Sequence, residues 1–184
     1  MPILAAEPTE FPHNLLDEVA AADESRRWWA IYTRSRQEKA LARQLRGMEV
    51  PHYLPLVPKV SLIGGRRVKS LNPLFSSYLF LFATPEERVQ ALSTDRIAHV
   101  FPATDASKMT RDLQNVRTLI ASGVPLTVEA RLRAGQRVRV KNGSLMGMEG
   151  MIVARRGEAR LLVAVDFLQQ GVSVLISDFQ VEPI

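Results

Sequence analysis

Apolar positions along the chain switch period several times, and each switch predicts an element. Trp28 to Thr33 is aromatic and β-branched enough for a strand. Leu41, Leu45 and Met48 then recur at helical spacing. Ser35 and Glu38 stand three apart at the start of that run, the spacing of a capping box, and Gly47 can end it. Gly64-Gly65 separates Val60–Ile63 from Arg66–Lys69, which predicts a hairpin with a two-residue turn. Ser77 to Ala83 is almost continuously apolar, as a central strand should be. Thr84-Pro85-Glu86-Glu87 opens a helix with an N-cap, a first-position proline and a third-position glutamate. Ile97 to Phe101 reads as another short strand, and Met109, Leu113, Val116 and Ile120 mark a last helix that stops before Gly123.

After Pro125 the helical period is gone. Five short β-rich runs follow in about fifty residues: Arg137–Lys141, Glu149–Arg155, Arg160–Phe167, Gly171–Ser177 and Phe179–Glu182. The expected class is therefore α+β. An N-terminal α/β sandwich with a small, mostly antiparallel sheet precedes a C-terminal five-stranded β-barrel. The expected divisions are an acidic, mostly disordered tail over 1–25, an α/β domain over 26–123, a linker over 124–133 and the barrel domain over 134–184. Within the tail, Leu15 to Ala22 is the one short helical possibility.

Charge sharpens this division. All 24 Lys and Arg follow Ser25, against 13 of the 19 acids, so the body carries +11 behind a tail with six acids and no base. Such a body favours phosphates or acidic protein surfaces. Most of the excess, +9, lies between Arg26 and Leu132, and only +2 between Arg133 and Ile184. An RNA-binding barrel would concentrate charge in the second region. Cysteine is absent, which suits a reducing cytoplasm, and no run reaches the roughly 20 apolar residues of a membrane helix. The start of the chain lacks the pattern of a secretory signal.

Catalytic sets are missing from the pattern. His13, His52 and His99 share no metal-ligand spacing, and there is no nucleophile elbow, Walker-type loop or dinucleotide fingerprint. Neither an enzyme nor a cofactor or metal is expected. Binding chemistry is more visible. Tyr78, Phe80 and Phe82 alternate onto one face of their strand, opposite Leu79 and Leu81, and Tyr32 is available from the first strand. Aromatics on one sheet face serve either as core beneath a helix or as a partner site. Local pattern leaves both readings open.

Two stretches carry a resemblance. WWAIY, a capped helix, GGRRVKSLNPLFSSYLFL and IAHVF together resemble the N-terminal (NGN) domain of the NusG family of transcription factors. The glycine- and valine-rich run from Gly135 to Gly150 resembles the KOW motif that opens the small SH3-like barrel of the same proteins, with Gly135, Val138, Val140, Gly143, Gly147 and Gly150 in the motif positions. The NPLFxxYLF wording is closer to the specialised RfaH-like and capsule-operon antiterminators than to housekeeping NusG, although Ser76-Ser77 stands where a proline is common.

The resemblance implies a transcription elongation and antitermination factor, cytoplasmic and monomeric, with no membrane partner. It would bind the clamp helices of RNA polymerase through Tyr32, Phe75, Tyr78, Phe80 and Phe101. It implies contact with the non-template DNA strand through Arg34 and Gln37; Arg36 and Lys39 add charge nearby without matching the family's contact residues, and Arg66 and Arg67 on the hairpin are either further phosphate contacts or a solvated tip. Ala40 and Gln44 occupy two further positions there, so the RfaH-type base-reading set is incomplete. Through its barrel the protein would recruit a ribosomal small-subunit protein or the termination factor Rho. The alternatives are a housekeeping NusG-type factor and, in a different class, a ribosome-associated KOW RNA-binding protein.

Overall fold

A computed structural model describes residues 8–130, 135–176 and 180–184. Its contacts divide the chain into two compact units, Met1–Ala106 and Ser107–Ile184. The expected domain boundary lay later, in the linker.

In the first unit the chain forms β1 (Glu10–Phe11), a π turn over Leu15–Val19 that runs into α1 (Ala20–Ala22), β2 (Arg27–Thr33), α2 (Glu38–Gly47) and β3 (His52–Tyr53). It continues through β4 (Leu56–Ile63), β5 (Arg66–Pro73), β6 (Tyr78–Ala83), α3 (Pro85–Leu92) and β7 (Ile97–Pro102). Five strands make an antiparallel sheet in the order β1-β3-β6-β2-β7, with the unbroken apolar strand β6 at its centre. Among the described residues β4 and β5 pair only with each other, about the expected Gly64-Gly65 turn.

One face of the sheet carries the aliphatic core. Ile31, Leu79 and Leu81 pack with Leu41, Ala42 and Leu45 of α2 and with Ala91 of α3, all at most 5% exposed. The α3 cap is the expected one: Thr84 Oγ1 accepts from Glu87 N at 3.2 Å, and Glu87 Oε2 accepts from Thr84 N at 2.9 Å. Glu87 also receives the Arg26 guanidinium, at 2.6 and 2.9 Å, so the cap anchors the approach to β2.

Three features differ from the sequence reading. From residue 8 onward the acidic segment is built into the fold instead of being mostly disordered. Glu10–Phe11 pairs with His52–Tyr53, and Leu15 and Leu16 are fully buried. Two adjacent leucines, covered by tertiary packing, outweigh a composition that favours disorder. The capping box at Ser35 does not form. Gln37 takes the N-cap position of α2 without a side-chain bond, and the Glu38 carboxylate turns inward to accept from Ser77 N at 2.6 Å. Short β3, which lies in the sheet beside β6, has no counterpart among the strands expected from the sequence.

The second unit contains nearly all of α4 (Ala106–Ala121), then β8 (Thr127–Glu129), β9 (Gln136–Val140), β10 (Glu149–Arg155), β11 (Glu158–Val165), a short 3-10 turn at Asp166–Leu168, β12 (Gln170–Leu175) and β13 (Val181–Pro183). The five expected strands are present within a few residues, although the start of the last expected run lies outside the described residues. With β8 they pair as a six-stranded antiparallel sheet, β13-β9-β10-β11-β12-β8, and closure into the expected barrel is not seen among the described residues. The sixth strand, β8, comes from the stretch read as linker.

A buried polar network fastens β8. Arg160, 7% exposed, donates to Ser173 Oγ at 2.9 Å, Ser173 O at 3.1 Å and Thr127 Oγ1 at 2.9 Å. Glu129 accepts from Ser173 Oγ at 2.6 Å and from Arg155 at 2.9 Å. None of these long-range partners shows in the local pattern of 124–133.

Candidate functional site

Directly opposed residues of an antiparallel pair share a face. Tyr32 stands opposite Tyr78 and His99, Ala30 opposite Phe80 and Phe101, and Trp28 opposite Phe82. The sheet face away from the aliphatic core is thus a field of aromatic rings, as the alternation along β6 predicts.

Burial splits the five rings assigned to a partner site. Tyr32 and Phe101 are 38% and 41% exposed, and Tyr78 is half-buried. Phe75 and Phe80 are closed off, at 1% and 0%, so they are a foundation and not contact surface. Tyr32 and Tyr78 meet edge-on with centroids 5.2 Å apart, and Phe75 meets Phe80 edge-on at 6.4 Å. His99 adds to the exposed group, 6.3 Å from the Tyr32 ring and 6.1 Å from Phe101. His99 is absent from the sequence-derived ring set; its place two residues before Phe101 on a strand is the signal that sets both rings on one face. Burial and the neighbouring Tyr32 push the Tyr78 phenol up.

Glu38 fixes this group from behind. Ser77 holds a left-handed φ of 65°, unusual for a residue with a side chain. Its N–H donates to the 7%-exposed Glu38 carboxylate, and its carbonyl accepts from Thr33 N at 2.8 Å. The strained turn between Phe75 and Tyr78 is held from both sides, so Ser76-Ser77 makes a defined turn without the proline.

At the junction of β2 and α2, Arg34 forms a bidentate pair with Asp95 at 2.7 and 3.2 Å. Both side chains are largely exposed, so the pair contributes little stability, about 0.2–1 kcal/mol at most. Arg36 is exposed with φ 59°, Gln37 is half-buried and Lys39 is half-buried one residue into the helix. Arg96, absent from the sequence-derived set, enters this group by donating to Gln37 Oε1 and to Gln44 Oε1. The separation of 52 to 59 residues hides it from local inspection. Arg66 and Arg67 stand exposed on the separate β4–β5 ribbon, opposite Ile63 and Leu62.

In the second unit Val138 and Val140 are buried and the alternate basic side chains face outward, as the pattern of β9 predicts. Those cations are matched by acids. Arg139 donates to Glu149 at 2.6 Å, Arg137 lies 3.6 Å from the same carboxylate, and Lys141 lies 3.8 Å from Glu182. Gly135 precedes β9, and Gly143 and Gly147 belong to the loop joining β9 to β10. A side chain at Gly150 would sit 2.6 Å from the Leu162 carbonyl oxygen, and Gly147 holds φ 84° while its N–H donates to Val140 O at 2.8 Å.

A family model described as NusG, transcription termination factor nusG, matches residues 26–134. The chain belongs to the NusG family. Membership places it among transcription factors that work by binding, and implies interaction with RNA polymerase. No curated protein matches the chain. Among solved structures, a chain of the crystal structure of an MjSpt4:Spt5 complex, conformation B, is 12% identical, covering 85% of this chain and 97% of that one at a TM-score of 0.30. Among the described residues of this NusG-family chain, no helix is long and apolar enough to cross a membrane.

Proposed function

We propose that this NusG-family protein is an elongation and antitermination factor of the specialised, RfaH-like kind. It docks on the clamp helices of RNA polymerase and suppresses pausing or termination. The observation that carries this reading is the exposed ring group of Tyr32, Tyr78, His99 and Phe101, built on buried Phe75 and Phe80. Rigid aromatic side chains supply contact area at low entropic cost, the property of an interface anchor. No covalent step is needed; differential binding to one polymerase conformation shifts its equilibrium.

In this reading Arg34, Arg36, Gln37 and Lys39 face the exposed non-template strand, and Arg66 and Arg67 add phosphate contacts from the ribbon. The KOW-like unit recruits a second partner, a ribosomal small-subunit protein or Rho. Pairing of Arg137, Arg139 and Lys141 with acids supports a recruiting role over an RNA grip, and so disfavours a ribosome-bound RNA-binding protein. The SH3-like barrel of the family remains part of this proposal.

Tyr78→Asp tests the docking surface, because it places a charge beside Tyr32 without touching the buried foundation. The folded variant should lose co-purification with RNA polymerase and fail to shorten pauses in a transcription assay. Undiminished polymerase binding by that variant removes the assignment. A polysaccharide gene cluster beside the coding gene would favour the specialised role over the housekeeping one.

A further inference from the structure

The exposed part of the ring group is not apolar throughout. Tyr32, Tyr78 and His99 each end in a polar tip, and among the described residues none of these side chains makes a hydrogen bond. They touch one another's rings and Phe101 instead, at centroid separations of 5.2 to 6.3 Å. A partner lying on these rings strips water from all three tips, and a tip left unmatched keeps its desolvation cost. The surface therefore demands polar groups opposite it. A phenol or an imidazole can donate or accept, so charge decides which group fits. β6 and β7 contain no Asp, Glu, Lys or Arg. β2 has only Arg27, which shares the other face with Trp29 and Ile31. Tyr32 and Tyr78 are thus the titratable groups that the neighbouring strands set beside His99. The nearest charges along the chain are engaged: Asp95 with Arg34, and Arg96 with Gln37 and Gln44. No strand lies beyond β7, the edge of its sheet.

We propose that the ring group takes an acidic side chain of its partner, held by His99 in its charged form and by the Tyr32 and Tyr78 hydroxyls, and that His99 sets this choice. The proposal rests on the docking reading of the ring group given above. A carboxylate only accepts, and its two oxygens offer about four lone-pair positions, enough for three donors. The +9 excess between Arg26 and Leu132 attracts such a group and repels a cationic one. Aromatic area supplies the affinity and His99 the selection. An apolar partner leaves the imidazole unmatched, and a basic partner meets like charge.

The test titrates the labelled full chain with purified RNA polymerase core enzyme from the same organism, by fluorescence anisotropy, at several values between about pH 8 and pH 6. Histidine is the side chain that ordinarily changes charge in this range. His52, held at about 4, stays neutral through it. His99→Phe keeps a ring in the group and removes the charge and both nitrogens. Affinity of the unsubstituted protein should rise towards pH 6 by about tenfold more than that of His99→Phe. His99→Gln, polar but uncharged, repeats the comparison if the phenylalanine variant does not fold. A folded variant with unchanged affinity and pH dependence shows that His99 contributes only its ring, which overturns the proposal and leaves the docking surface in place. A loss of equal size at every pH overturns the acidic partner, since a neutral group then matches His99. Absence of polymerase binding at any pH, or binding undiminished by Tyr78→Asp, removes the docking reading and this proposal together.

Discussion

Removing the Glu38 carboxylate should cost the first unit more than a surface glutamate normally would. The group is 7% exposed and its bond to Ser77 N is 2.6 Å long, short for an N–H···O bond. Hydrogen bonds to charged groups contribute about 1.5–3 kcal/mol, and an orphaned donor keeps its desolvation cost. In Glu38→Ala the orphan is the N–H of a residue already at φ 65°, so the turn loses its clamp as well as its bond. Alanine's better helix propensity returns only a few tenths of a kcal/mol. The expected net loss is about 2–3 kcal/mol, or a Tm fall of roughly 10–20 °C for a unit of this size. Glu38→Gln keeps an oxygen acceptor and should lose about 1 kcal/mol. Trp28 and Trp29 both lie on β2, so tryptophan fluorescence during thermal unfolding follows this unit. Wild-type Tm in Glu38→Ala would refute the argument, because the clamp would then contribute nothing.

Two further outcomes are expected. Burial holds the His52 imidazole well below its ordinary value, at about 4, while its Nδ1 lies 2.9 Å from the Val50 carbonyl. Between pH 6.5 and 4 the unfolded chain takes up a proton that the folded chain refuses, so stability falls with pH across that window, by about 3 kcal/mol in all. Urea midpoints measured from pH 7 to 4 should fall less steeply in His52→Phe, and an unchanged slope would discard the assignment. Arg160→Ala should loosen β8, costing about 2–3 kcal/mol as three acceptors lose their donor. Amide exchange at Thr127–Glu129 should then quicken by tenfold or more, and undisturbed protection there would show that the strand does not depend on Arg160.

Elements defined by period were legible in the sequence. The alternation along Tyr78–Phe82, the proline-led cap of α3 and the Gly-Gly hairpin need only neighbours within a few residues, and all three stand as expected. What was hidden depends on partners far along the chain. Glu38 had a local role available in a capping box, but Ser77, 39 residues away, took its carboxylate. Leu15 and Leu16 open the one short helical run of the acidic segment, but their burial comes from tertiary packing that the run itself does not show. The ring site was half legible: alternation gives the face, but which rings stay open depends on what packs over Phe75 and Phe80. Arg96 carried no local sign, since its meaning comes from two glutamines on another element.

The β4–β5 ribbon has a consequence for handling the protein. Both outer edges of the ribbon are unpaired among the described residues, and Val60, Leu62, Ile63 and Val68 are 41–74% exposed along it. Free edges with aliphatic side chains invite strand-to-strand association between molecules. Lys59, Arg66, Arg67 and Lys69 intersperse those aliphatics, and no acid lies between Leu56 and Pro73, so two ribbons approaching each other repel. The repulsion reaches only about 8 Å at physiological ionic strength and less as salt rises. Concentrated salt therefore brings free molecules closer to aggregation. The same four charges govern colloidal behaviour and any hold on phosphate, so a substitution that weakens one weakens the other.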